Sequence, residues 1–419
     1  MWFYFDRILV AHQVAEALAH DRPRGNLSDL YPRWLGAREL LLHGRNPYAA
    51  DVTQEIQRGY YGRALDSRRN DPRDEQGFAY PVYVVFLLAP SVGLPFRHVQ
   101  LGFYWMLLGI SASSVWLWLR GLVWQLSPSS IAAAVLFMLG TVPVVQGIKL
   151  QQLSLLVAVL LAAVAACAVF GYLFFAGSLL ALATIKPQLT WLLAAWLLVW
   201  VFSNWRERRN LLFGFGSVML LLLGGSEILL PGWLGLFMEA MASYHRYTQN
   251  QSVLDQLLPW AFAGKIVAGI AIAGCAWLFW QVRDKPADSA EFGITTTLVL
   301  ALTVLVMPMY APYNQVLLLP AVLVLVRDRE FFLSRSRGPR FAFIAGFFAL
   351  AWPWIASATL SAIYLLGSPA LALSGWKWPF FSTFIIPVLI FSLMFLRAQG
   401  QTGSFAPALG DKRPAKNST

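Results

Sequence analysis

The sequence predicts an all-α, polytopic membrane protein. Three observations carry that reading. Hydrophobic residues make up 58% of the 419 residues and charged residues only 13%. Mean hydropathy is +0.57. From residue 79 onward the chain is almost continuously apolar, in blocks of helical length. A soluble domain carries about 25% charged residues, so these charges are too few to cover a water-facing surface of this size. The chain is also too apolar to remain disordered.

Residues 1–25 form a polar N-terminal segment. MWFYFDRILVAHQVAEALAH carries Asp6, Arg7, His12, Glu16 and His20. It is too polar to span lipid, where about 20 mostly apolar residues are needed. It reads as an interfacial helix or as the tail of a longer first helix.

Residues 26–78 are a polar block with balanced charge: Asp29, Glu39, Asp51, Glu55, Asp66, Asp71, Asp74 and Glu75 stand against eight arginines. That balance, with aromatics interspersed, predicts a small folded loop domain outside the bilayer. RWLGARELLLHG (33–44) has helical spacing and ends at Gly44, a usual helix stop. Asn46-Pro47 turns the chain. DVTQEIQRGYYG (51–62) reads as a second helix with Asp51 as N-cap. RRNDPRDEQG (68–77) reads as a solvated connector.

Residues 79–397 form the predicted membrane bundle of about 10–12 helices. Expected apolar helices cover 100–119, 129–146, 152–169, 171–185, 188–203, 211–230, 257–281, 293–309, 314–326, 341–363 and 379–396. Residues 79–95 are apolar but contain Pro81, Pro90 and Pro95, which reads as a broken or re-entrant segment. The polar tail 398–419 is expected to be disordered.

Lysine and arginine set the orientation. Arg206, Arg208 and Arg209 mark one cytoplasmic turn, Arg283 and Lys285 another, and Arg327, Arg329, Arg335, Arg337 and Arg340 a third. Lys412, Arg413 and Lys416 place the C-terminus inside. Counting between these clusters places Lys186, the 147–152 turn and residues 231–256 on the outer face; taking 79–95 as re-entrant, or one later segment as non-spanning, puts 26–78 there too. The formal charge of +11 fits such cytoplasmic loops, and the 18 tryptophans fit interfacial belts. No basic stripe with interleaved aromatics points to nucleic acid. Cys167 and Cys275 sit inside apolar runs, so neither a disulfide framework nor a cysteine metal site is expected. His12, His20, His43, His98 and His245 lack metal-ligand spacing.

The candidate chemistry collects at one membrane face. Asp29 in NLSDLYPRW is either a helix cap or a functional carboxylate. Lys186 in TIKPQLTW either snorkels to headgroups or binds a lipid phosphate. Gln151 and Gln152 either bridge helices or face a ligand. Tyr310, Tyr313 and Asn314 flank Pro308 and Pro312, in a kinked turn or a site. His245 reads as surface. A P-loop, HExxH, GxSxG and a paired-carboxylate arrangement are all lacking in the sequence.

DLYPRWLGARELLLHGRNPY (29–48) resembles the first-loop motif of glycosyltransferase family 87, polytopic enzymes of the GT-C class whose best-known members are bacterial mannosyltransferases. The matching positions are Asp29, Tyr31, Gly36-Ala37, Leu40 to Leu42, Gly44 and Pro47-Tyr48. FAYPVYVVFLLAPSVGLPF (78–96), QGIKLQQLSLL (146–156), AGSLLALATIKPQLTWLLAAWLL (176–198) and MPMYAPYNQVLLLP (307–320) resemble later family segments in the same order. Two departures stand out. The family has a transmembrane helix before the Asp loop, where this chain has the polar segment. Its mannosyltransferases carry histidine near the 307–320 turn, where Tyr313 and Asn314 stand here.

The resemblance implies a GT-C-like bundle in the bacterial inner membrane and transfer of a hexose, mannose in the best-known members. The donor would be a polyprenyl-phosphate sugar, the acceptor a lipid or glycan hydroxyl, and the site would lie on the extracytoplasmic face. It implies Asp29 as general base; Lys186, with Arg33 and Arg38, for the donor phosphate; and Tyr31, Gln152, Tyr313, Asn314 and His245 for sugar or acceptor, with Trp34 or Trp233 stacking on the sugar. Membrane lipids are the expected surroundings, with no nucleic-acid partner. No cofactor is expected; the GT-C class accommodates a divalent metal, but no dedicated cluster is visible. One carboxylate suffices for such a reaction, because a phosphate leaves as an anion without a general acid, whereas glycoside hydrolysis uses a pair. Three alternatives stay open: a lipid or sugar flippase, which would carry an internal repeat not visible here; a surface-polysaccharide ligase; and a scaffold in which Asp29 only caps a helix.

Overall fold

The computed structural model describes residues 1–25, 28–66, 68–69, 71–248, 251–260, 262–308 and 310–402. Among the described residues regular structure is helical throughout, without strands. The tail expected to be disordered falls from 403 onward outside the described residues.

The N-terminal segment is one continuous helical stretch: α1 (Trp2–Tyr4), a π-turn (Phe5–Leu9) and α2 (Val10–Ala19). Its first half is not merely interfacial. Tyr4, Phe5, Ile8 and Leu9 are buried in a cluster with Val142, Val145, Leu360 and Ala372. Asp6 pairs with Lys149 at 2.7 Å, which fastens the segment to the bundle.

The first loop folds as two helices, α3 (Tyr31–His43) and α4 (Ala50–Tyr61). Pro32 sits in the first turn of α3, where its missing N–H costs nothing. Gly44 ends the helix at φ +64, the left-handed conformation that glycine adopts without Cβ strain. Asp51 does not cap α4. Ala49 occupies that position without a side-chain bond, and the Asp51 carboxylate instead accepts from Arg45 at 3.0 Å. Arg45 also reaches Glu39 at 2.5 Å and Glu55 at 2.8 Å, clamping α4 to α3.

Residues 79–95 contain only α5 (Val84–Leu88) and a 3₁₀ turn (Ala89–Ser91), too short to span. The bundle follows: α6 (Phe96–Gly121), α7 (Pro128–Leu139), α8 (Val142–Lys149), α9 (Leu153–Val169), α10 (Leu173–Ala183), α11 (Pro187–Ser203), α12 (Trp205–Leu229), α13 (Trp233–Thr248), α14 (Val253–Leu257), α15 (Ala263–Val282) and α16 (Ala290–Val306). A 3₁₀ helix (Pro312–Leu318) leads into α17 (Leu319–Arg327), then α18 (Arg329–Leu333), α19 (Arg337–Leu365), α20 (Pro369–Ser374), α21 (Lys377–Phe381) and α22 (Ile386–Thr402).

Among the described residues, five helical stretches are long and apolar enough to cross a membrane: α6, α12, α15, α19 and Pro369–Gln401. The α7–α8 pair, bent by 61°, makes a sixth if it counts as one broken span. Five shorter apolar helices complete the bundle. Leu220, Leu221 and Ile228 of α12 are 74%, 73% and 87% exposed, a face that suits lipid and not water. At the centre, α16 is buried along nearly its whole length, from Phe292 to Leu305. Its Thr297 and Thr303 hydroxyls return to backbone carbonyls one turn earlier, so they add no unpaired polar group.

Two turns meet at one end of the bundle. The buried Arg208 guanidinium donates to the carbonyls of Trp200 and Arg283 at 2.8 Å, Lys285 at 3.0 Å and Asp284 at 3.1 Å. The opposite end of α11 begins at Lys186. Seventeen helical residues separate the two ends, roughly 25 Å at 1.5 Å per residue.

Candidate functional site

A narrow cleft of about 90 Å³ lies where the first loop meets the bundle. Its polar lining includes Asp29, Arg33, Asp74, Gln76, Gln152 and Lys186. Tyr80, Tyr244, Tyr313, Asn314 and Pro308 complete the walls, with Phe237 and Met241 from α13.

Asp29 is held by its backbone. Its N–H donates to Leu150 O at 2.9 Å, and the neighbouring Ser28 hydroxyl donates to Gln151 Oε1 at 2.8 Å. The loop is thus pinned to the turn after α8. That turn is sharp: Gln151 adopts φ +47, uncommon for a residue with a Cβ. The left-handed residue directs the chain so that Gln152 enters the cleft, a case of local strain beside a candidate site.

Asp29 does not cap α3. Leu30 is the cap residue, with no side-chain bond. The Asp29 carboxylate instead accepts from Gln152 Nε2. The carbonyl end of the same amide accepts from Lys186 Nζ at 2.8 Å. Lys186 also donates to Ser154 Oγ at 2.7 Å, and Ser154 donates to Asn314 Oδ1 at 2.8 Å. The chain Asp29–Gln152–Lys186–Ser154–Asn314 joins the first loop, the α8–α9 turn, the α10–α11 turn and the 3₁₀ helix.

Lys186 does not snorkel; it is 5% exposed. Its ammonium lies 5.2 Å from the Tyr313 ring centre and 5.9 Å from that of Tyr80. The Arg33 guanidinium lies 4.7 Å from the same Tyr80 ring centre and donates to the Asp29 carbonyl. The Arg33 Nε is buried with no partner among the described residues. Tyr83 fixes the turn that carries Lys186, its hydroxyl donating to Thr184 O at 2.9 Å.

Burial dominates the electrostatics. It pushes the Asp29 carboxyl above the usual carboxylate range, against the pull of Arg33, with Asp74 adding to the rise and Gln152 and Lys186 opposing it. Burial, with Arg33 nearby, pushes the Lys186 ammonium down to about 7, while Asp29 opposes the fall.

Residues 68–77 are an irregular connector in which Arg68, Arg69, Arg73 and Glu75 are exposed as expected, but Asp74 departs from that reading and brings a second carboxylate to the cleft of Asp29. The cleft is lined by both acids. Tyr61 of α4 donates to Asp74 O at 2.9 Å and Gln57 donates to Glu75 O at 3.1 Å, folding the segment inward. Sequence alone gave no sign of this, because both anchors come from a helix across the loop. Tyr80 and Tyr244 were likewise unmarked: one follows the first loop and the other lies on α13.

Of the residues singled out from sequence, Asp29, Arg33, Gln152, Lys186, Tyr313 and Asn314 meet at the cleft. Arg38, Tyr31, His245, Trp34 and Trp233 are not among its lining residues. Arg38 donates to Val92 O at 2.7 Å and lies over the Trp34 ring. Tyr31 packs edge-on against Phe96. Trp34 donates to Ser91 O, and Trp233 packs edge-on against Tyr83. His245 adjoins Tyr244, which does line the cleft. Among the described residues no group of three or more His, Cys, Asp or Glu is placed to share a metal ion.

A second cavity, of about 870 Å³, is mainly apolar and lined by residues such as Trp124, Phe137, Leu319, Phe347 and Trp354. The 3₁₀ helix separates the two: Tyr313 and Asn314 line the cleft, and the next residues, Gln315 and Val316, line the larger cavity.

The sequence model of glycosyltransferase family 87 matches residues 78–308, more than half of the chain. The matched stretch includes Tyr80, Gln152, Lys186, Tyr244 and Pro308, while Asp29, Arg33, Asp74 and Tyr313 lie outside it. No curated protein and no solved structure matches the chain.

Proposed function

Because the chain belongs to glycosyltransferase family 87, we propose that it transfers a hexose, mannose as the first choice, from a polyprenyl phosphate to a lipid or glycan hydroxyl. The observation that carries this reading is one polar cleft in which a carboxylate and two cations, Asp29, Lys186 and Arg33, are held together by Gln152 and Tyr80.

The transfer is a single displacement with inversion. The acceptor oxygen attacks the anomeric carbon, and the bond from that carbon to the phosphate oxygen breaks. The polyprenyl phosphate leaves as an anion, and the acceptor proton passes to the Asp29 carboxylate. The raised affinity of Asp29 for a proton suits it to that step. Lys186 and Arg33 stabilise the departing phosphate by charge-assisted hydrogen bonds, about twice as strong as neutral ones. The unpartnered Nε of Arg33 is a donor ready for such an oxygen. Gln152 has both ends of its amide engaged, so it aligns base and cation. Tyr313 and Asn314 border the sugar.

The protein is a multi-pass protein of the bacterial inner membrane, with the cleft on the extracytoplasmic face and the C-terminus in the cytoplasm. The arginine-rich turns at Arg208 and Arg283 lie at the opposite end of α11 from Lys186, as the positive-inside rule requires of that orientation. The 870 Å³ cavity offers an apolar bed for an isoprenoid chain.

The test is incubation of purified protein with labelled polyprenyl-phosphate hexoses and a lipid extract. Label on a new lipid supports the transferase. Label that crosses vesicles unchanged identifies a flippase instead.

A further inference from the structure

Gln151 stands one residue before the bridging Gln152 and is not among the residues that line the cleft. We propose that Gln151 is a positioning residue for the transfer: through a bond to Ser28 it fixes the Asp29 carboxylate against the Gln152 amide from outside the cleft. This rests on the transferase reading above and deepens it.

The backbone at Gln151 is strained. Its φ of +47 is a conformation that glycine adopts freely and a residue with a Cβ adopts at a cost. Glycine would serve the turn alone better. What glutamine adds is a long amide, and every polar position of that amide is engaged. Nε2 donates to Ile148 O at 2.8 Å and to Lys149 O at 3.1 Å. Oε1 accepts from Ser28 Oγ at 2.8 Å and from Gln100 Nε2 of α6 at 3.3 Å. An amide has two donor hydrogens and two acceptor lone pairs, so none is left over. The first two bonds lock the side chain onto its own turn; the other two bring in the first loop and α6. Gln151 and Ser28 are 3% and 0% exposed, so solvent is not at hand to replace a lost bond between them.

Two rungs join the loop to the turn, and they run crosswise. Ser28 meets Gln151 through side chains, and the Asp29 N–H donates to Leu150 O at 2.9 Å. Asp29 and Gln152 are thus each one residue away from the Ser28–Gln151 rung. The next contact outward is the one the chemistry uses, the Asp29 carboxylate on Gln152 Nε2. The turn is also braced from its other side: Lys149 Nζ lies 2.7 Å from Asp6 Oδ1 of the N-terminal segment. Gln152 is in turn tied to Lys186 at 2.8 Å. With the turn so held, the loop carrying Asp29 is the partner that shifts when the rung is lost. A reacting group misplaced by about 1 Å loses on the order of a hundredfold in rate. The base therefore depends on Gln151 although Gln151 touches no substrate.

The experiment compares wild-type protein with Gln151→Gly, Ser28→Ala and the double variant, using labelled polyprenyl-phosphate mannose as donor and a lipid extract as acceptor. Gln151→Gly relieves the backbone strain while deleting the amide. Its kcat is expected to fall about tenfold or more, the scale of a misplaced base, with a smaller rise in donor KM. The acid limb of kcat/KM should move to higher pH, because an Asp29 carboxylate that loses the Gln152 bond holds its proton more tightly. Arg33, Lys186, Asp74, Tyr80, Tyr244 and Tyr313, which share the cleft, are untouched by these substitutions. Ser28→Ala should show the same two changes. The double variant should be no slower than Gln151→Gly, since both substitutions remove one bond. A Gln151→Gly protein with wild-type kcat, or with a lower kcat and an unmoved acid limb, would overturn the positioning role; so would losses that multiply in the double variant. Wild-type protein that moves no label would overturn the transferase reading itself, and this one with it. If melting in detergent shows Gln151→Gly to be unfolded, Ser28→Ala, which keeps the bond from Asp29 N–H to Leu150 O, decides by the same two readouts.

Discussion

Asp29 and Lys186 are joined through one amide: Gln152 donates to the carboxylate and accepts from the ammonium at 2.8 Å. An amide is the side chain that satisfies an acceptor and a donor at once. Replacing Gln152 by Leu leaves both charges without that partner. The expected result is a fall in kcat of at least tenfold with membrane insertion retained. Gln152→Glu should be worse, because a second carboxylate beside Asp29 raises its pKa further. Kinetics of the two variants with saturating donor test this; a Gln152→Leu protein with wild-type kcat would remove the bridging role.

The base assignment makes a direct demand on Asp29. Asp29→Asn keeps the shape and can no longer take a proton. Transfer is expected to drop about a hundredfold or more, the usual scale of general-base catalysis, while the protein still inserts and folds. Near-normal turnover on a supplied lipid-linked sugar would exclude Asp29 from the chemistry.

Lys186 predicts a pH dependence whose sign can be worked out. The free ammonium has its pKa lowered to about 7, so it is charged below that pH and neutral above it. Donor KM should therefore rise as pH increases through about 7. Asp29 must be ionised to act, and its pKa is raised; kcat/KM should fall on the acid side at a pH above the ordinary carboxylate range. Lys186→Arg keeps its charge at all these pH values, and should abolish the alkaline rise in donor KM. Lys186→Ala should weaken donor binding by roughly 1.5–3 kcal/mol, the value of a hydrogen bond to a charged group, and affect the acceptor less. An alkaline limb that persists unchanged in Lys186→Arg would assign that titration elsewhere.

Packing beneath the site yields a stability prediction. A Cβ on Gly177 of α10 would lie 1.9 Å from Leu211 O of α12, and one on Gly214 would lie 1.9 Å from Phe174 O. The two helices touch backbone to backbone, as small residues allow in membrane bundles. Gly177→Ala is expected to lower stability by about 1–3 kcal/mol through overpacking, read as a lower melting temperature in detergent. An unchanged melting temperature would mean that the helices separate without cost.

Much of the helical layout was legible in the sequence because lipid imposes it. Backbone groups without water must pair within a helix, so apolar blocks translate directly into helices such as α9 and α16. Gly44 ended α3 as expected, since left-handed backbone favours glycine. Asp51 failed as a cap because α4 begins at Ala50 and leaves Asp51 inside the first turn, where its carboxylate meets Arg45.

By itself the sequence determined the all-helical membrane bundle, the family, and the residue types at Asp29, Gln152 and Lys186. Periodicity, apolar length and local motif are properties of neighbouring residues, and they survive without coordinates. Only the tertiary structure decided that Asp29 is no helix cap, that Arg38 and Tyr31 lie off the lining of the cleft, and that Asp74 turns inward to it. Those outcomes depend on groups from distant segments, Leu150, Val92 and Tyr61, and contact between distant segments leaves no periodic trace in the chain.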